Sequence, residues 1–114
     1  MNISLNDAGA LCVSMEAQEG LKAGDLCKIT GNCKVGKAAA GDVAFGLVKL
    51  VRGGIATVQV EGYAKLPYSG TAPGLGYTTL AADNAGGMKS VSTGGKAYFV
   101  CEVDTTAGRL GLLL

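Results

Sequence analysis

Apolar side chains recur at every second position through much of this chain, and glycines separate the runs. Leu11, Val13 and Met15 alternate with Cys12, Ser14 and Glu16, a period-two pattern that predicts a strand. Gly20 and Gly24 interrupt the rival helix over Leu11 to Leu26, so a strand and one helical turn are expected there. A strand from Asp25 to Thr30, a turn and a short strand around Lys34 and Val35 come next. Val43 to Val51 is apolar on both faces, as in a strand covered on two sides. Ile55 to Glu61 alternates, with Ala56, Val58 and Val60 predicted inward and Thr57, Gln59 and Glu61 outward. Gly53-Gly54 before it marks a tight hairpin. Ala97 to Val103 alternates again, and the chain ends on the apolar run Arg109 to Leu114, expected to be paired and covered. No stretch supports a helix of ordinary length.

The pattern occurs twice. Ala23 to Gly62 lies over Pro73 to Leu112: Gly24 meets Gly74, Cys27 meets Tyr77, Lys34-Val35 falls near Lys89 to Val91, and Phe45 near Phe99. Thr57 to Val60 falls near Arg109 to Leu112, and the offset drifts from 50 residues at Gly24 to 54 at Phe45. Two copies argue for one pseudo-symmetric body rather than a solenoid, which needs three or more. The expected architecture is all-β. It is a small pseudo-two-fold β-barrel or β-sandwich of two similar halves, with residues 1 to 9 as a short extended arm and 10 to 114 as one two-lobed domain. The copies are placed at about 23–62 and 73–112. Pro67 cannot donate to a ladder, so Tyr63 to Pro73 is expected at an edge or in a loop between the copies.

Composition sharpens the picture. Glycine supplies 19 of 114 residues, in keeping with many tight turns. Ten basic and nine acidic residues leave a net charge of +1 with no block of one sign, so no nucleic-acid footprint is visible. No apolar run is long enough to span a membrane as a helix, and the N-terminus lacks the basic start of a signal peptide. The four cysteines are therefore expected as reduced thiols, buried as small hydrophobes, in a protein made in a cytosol-like compartment.

Candidate chemistry is sparse. Histidine is absent, which removes the commonest general base and metal ligand. Gly31 to Ala38 approaches a phosphate-binding loop, but Ala38 stands where a hydroxyl is needed and Gly41-Asp42 forbids the following helix. Cys27 and Cys33 lack zinc-ligand spacing, and a crosslink between them depends on their hairpin geometry. The acids Asp25, Asp42, Asp83 and Asp104 sit in turns or loops, where aspartate caps local N–H groups. No catalytic, cofactor or metal residues are expected, and an enzyme is not. The alternative is a biotinyl- or lipoyl-type carrier domain that is modified on Lys89 in Met88-Lys89-Ser90, which requires that lysine on an exposed hairpin.

Residues 10 to 112 resemble a family of small tailed-bacteriophage virion proteins, the head-decoration or capsid cement proteins. The resemblance rests on the opening strand into Ala23-Gly24-Asp25-Leu26-Cys27, then Lys34-Val35, then Ala39-Ala40-Gly41-Asp42-Val43-Ala44-Phe45-Gly46 and the strand Val58-Gln59-Val60. In the second copy, Pro73-Gly74-Leu75 lacks the aspartate. The resemblance implies a structural protein of the virion, on the capsid's outer surface, that binds the major capsid protein and itself as a homotrimer. It implies no nucleic acid, membrane or cofactor. Capsid contact is expected from the arm, at Asn2, Ile3, Ser4, Leu5 and Asn6, by strand addition. A second seam is expected at Leu66, Pro67 and Tyr68, and another phage β-domain, of the tail or baseplate, has the same grammar.

Overall fold

The computed structural model describes residues 9–83 and 85–114. The expected arm at Asn2 to Asn6 lies outside the described residues. Ten strands occur among the described residues: β1 (Leu11–Ala17), β2 (Leu26–Gly31), β3 (Lys34–Lys37), β4 (Gly46–Arg52), β5 (Ile55–Glu61), β6 (Tyr63–Ser69), β7 (Gly76–Ala82), β8 (Met88–Ser90), β9 (Lys96–Asp104) and β10 (Arg109–Leu113). No helix is present among the described residues.

The strands close into two barrels of five. The first has the order β1-β3-β2-β4-β5 and the second β10-β6-β8-β7-β9. Each has one parallel contact, β1 with β3 and β6 with β8, and antiparallel pairing elsewhere. So β1 to β5 correspond in order to β6 to β10. Closure leaves neither barrel a long free edge.

Each repeat therefore includes its leading strand, and the copies run over 11–61 and 63–113 rather than 23–62 and 73–112. Tyr63 to Ser69, expected as an edge or loop, is the first strand of the second barrel. Pro67 opposes Arg109 on β10, and pairing with β8 starts one residue later at Tyr68, where a missing proline N–H does no harm. The terminal run is paired on both sides, by β6 and β9.

Register also corrects which positions match. Ala56 opposes Met15 and Leu110 opposes Leu66; Val58 opposes Val13 and Leu112 opposes Ala64. Carried round the barrel, this puts Val35 and Met88, both fully buried, at one position. Lys89 then corresponds to Gly36, not Lys34. Leu47 opposes Gln59 as Phe99 opposes Leu113, so Leu47, not Phe45, is the counterpart of Phe99.

The interiors differ in size. Cys27, Val35, Val48, Ala56 and Val58 fill the first barrel. Their counterparts in the second are Leu80, Met88, Val100, Leu110 and Leu112. Four of the five are larger there. That second core continues through Leu26, Ala38, Ala44 and Leu47, which belong to the first barrel. The shared cluster is the junction between the barrels.

Candidate docking surface

The junction is built by the loop between β3 and β4. Asp42 Oδ2 accepts from Ala39 N at 2.8 Å and from Lys28 Nζ at 2.9 Å, which fixes the Gly41-Asp42 turn. Gly41 has φ of +88°, a conformation that glycine adopts without strain. The Lys28 hydrogen bond, with the Ala39 N–H, holds the Asp42 carboxyl below the usual carboxylate range. The turn grips the end of β7: Gly41 N donates to Ala82 O at 2.8 Å, and Ala82 N donates to Asp42 O at 2.9 Å. Tyr98 Oη donates to Ala44 O at 3.3 Å, and burial raises that phenol's pKa. These contacts take up Val43 to Phe45, so β4 starts at Gly46 and not at Val43.

Gln59 lies at the same junction. Alternation places it outward, and it does leave the first barrel's interior, but the second barrel covers it completely. Its Nε2 donates to Tyr63 O at 3.0 Å and Glu61 O at 3.1 Å, whereas Oε1 has no partner among the described residues.

Behind Ala82 the β7–β8 turn is held by Asp83. Its carboxylate accepts from Ser69 Oγ at 2.7 Å, Ala85 N at 2.8 Å and Gly87 N at 3.0 Å. Desolvation pushes this carboxyl up, but those hydrogen bonds and the Lys89 charge outweigh it, and its pKa is lowered.

The expected seam residues fall on β6. Leu66 is only 2% exposed, its side chain packed in the second barrel's core rather than on the surface. Pro67 is half-buried, and Tyr68 is half-buried against the same core. Lys89 lies within a strand, opposite Ala81 and Ser69, rather than at a hairpin tip as a carrier lysine requires. Gly31 to Lys37 is the β2–β3 hairpin, with no helix to cradle phosphate.

Of the cysteines, all free, Cys27 is buried, Cys101 half-buried, and Cys12 and Cys33 exposed, so the expected burial holds for Cys27 alone. Burial pushes the Cys27 thiol up to about 11, which leaves it unreactive. It opposes Lys37 across the hairpin, not Cys33. The described residues gather no group of three His, Cys, Asp or Glu able to hold a metal ion.

What the second barrel offers outward is an apolar row. Tyr77 on β7 opposes Phe99 on β9, and Phe99 opposes Leu113 on β10. They are 80%, 41% and 43% exposed, and the first two rings meet edge to face at 5.1 Å between centroids. Leu75, two residues before Tyr77, is exposed as well. Three neighbouring strands thus carry a preordered aromatic and aliphatic surface suited to another protein. The alternation of β9 is visible in the sequence, but nothing there tells which of its faces is inside. Searches against protein-family models and against curated proteins return no match to this chain.

Proposed function

We propose that this protein is a structural protein of the tailed-phage virion that binds the outside of the capsid and stabilises it. The observation that carries the reading is the open row Tyr77–Phe99–Leu113 on an otherwise closed pair of barrels. A body of this kind works through protein contact, and closed barrels joined by a shared core suit a clamp that must not deform. The resemblance centred on Ala39 to Gly46 supports the same reading, because in the fold those residues lock the barrels together. In this reading the major capsid protein is the partner, residues 1 to 9 add a strand to it, and Pro67 and Tyr68 line a second contact. The protein acts as a homotrimer, and no catalysis or cofactor enters.

The test is cosedimentation with expanded capsids of the cognate phage. The full chain should pellet with them, and a chain starting at residue 10 should stay folded yet remain in the supernatant. Equal binding by the shortened chain would remove the arm from the account. Absence of binding by the full chain would remove the capsid.

A further inference from the structure

The open row has a twin inside the same molecule, and the twin is covered. On the first barrel Leu26 opposes Leu47, and Leu47 opposes Gln59. Leu47 and Gln59 hold the positions of Phe99 and Leu113, and Leu26 pairs with Leu47 as Tyr77 pairs with Phe99. The β2–β3 register that matches Cys27 with Leu80, however, sets Leu26 level with Thr79. The exposures of Leu26, Leu47 and Gln59 are 3%, 7% and 0%, because the second barrel sits on them. One row is an interface already made; its counterpart lies exposed among the described residues.

The receiving side is duplicated too. The second barrel receives the first at the end of β7, where Ala82 is 2% exposed. Ala82 opposes Met88, as Ile29 opposes Val35, so Ile29 holds that position on the first barrel. Ile29 is 50% exposed. The chain therefore ends in two unlike, complementary surfaces: an open row on the second barrel and an open receiving end on the first.

We infer that a second copy of this chain docks its Ile29 end on the Tyr77–Phe99–Leu113 row, repeating between molecules the contact made between the barrels. The interface is head-to-tail, so copies join into a closed ring or, where the rotation does not close, an open string. The intermolecular contact is the weaker of the two. The loop that would grip Ile29, between β8 and β9, spans 91–95 and lacks the longer Gly41-Asp42 turn of 38–45. The inference deepens the self-association in the proposed function by naming its contact, and because the test contains no capsid, its failure and that of capsid binding are read separately.

The experiment is mass measurement by light scattering during gel filtration, up to millimolar protein. Wild type should form species of three or more copies, either a discrete ring or a mass that rises with concentration. Tyr77→Glu and Ile29→Asp, both at exposed positions, should each run as a folded monomer. Each variant keeps one intact surface, so an equimolar mixture should recover a species of twice the protomer mass. A wild-type monomer, a dimer that stops at two, or a mixture that stays monomeric would overturn the inference. So would self-association seen only after removal of residues 1 to 9, because the row would then belong to the chain's own N-terminal segment.

Discussion

Asp83 is the residue on which the receiving end of the second barrel depends. Its carboxylate holds the Ser69 hydroxyl and the N–H groups of Ala85 and Gly87, the last of them buried. Removing it in Asp83→Ala strands those donors and should cost about 2 kcal/mol, read from urea unfolding. Its depressed pKa also fixes a sign with pH. A carboxyl whose folded pKa lies below its ordinary value of 3.8 adds stability that is complete above that value. The contribution fades as the pH falls toward the folded pKa. Glu102 acts alike: a hydrogen bond from Tyr63 Oη comes first among the causes that lower its pKa, and Lys65 Nζ stands at 3.5 Å. Wild-type stability should therefore drop on acidification below pH 4 or so, and Asp83→Ala should flatten that slope. An unchanged slope in the variant would show that Asp83 is not the group responsible.

At the scale of the strand, alternation reveals faces but not register. The halves were legible as a repeat, and most strands fall within a few residues of where the pattern predicts them. Yet Phe45 aligned with Phe99 by type, whereas Leu47 occupies that place, because a slip of two residues leaves every side chain on its own face. Two bulges were equally hidden. Pairing shifts between Val48 and Leu50 and between Val100 and Glu102, so Lys49 and Cys101 are the extra residues of corresponding strands. Pro67 misled for a different reason: it argues against a ladder only where its N–H would be needed.

The smaller first barrel also explains a glycine on β4. A Cβ at Gly46 would come within 2.5 Å of Gln59 O and 2.6 Å of Val58 Cγ1. Gly46→Ala should cost about 1–3 kcal/mol through overpacking, measured as a lower urea midpoint. A neutral result would mean that β4 and β5 can separate at that point.

Across the whole molecule, the shared cluster makes one body of two barrels. Wild type should unfold in a single transition, followed by circular dichroism in urea. Leu47→Ser puts a hydroxyl into the junction and should split that transition, with the thinner first barrel melting first. One unsplit transition would show that the barrels are coupled through some other contact. The candidate surface was the least legible feature in the sequence. Tyr77, Phe99 and Leu113 come from three strands and meet only through register, and the matching buried row shows only once both barrels are closed. If this coupled pair of barrels is the capsid clamp proposed above, imaging of expanded cognate capsids mixed with the full chain will reveal it. Added density on the outer surface, gathered in rings of barrels about local symmetry axes, is the predicted result; capsids left bare at saturating protein would contradict it.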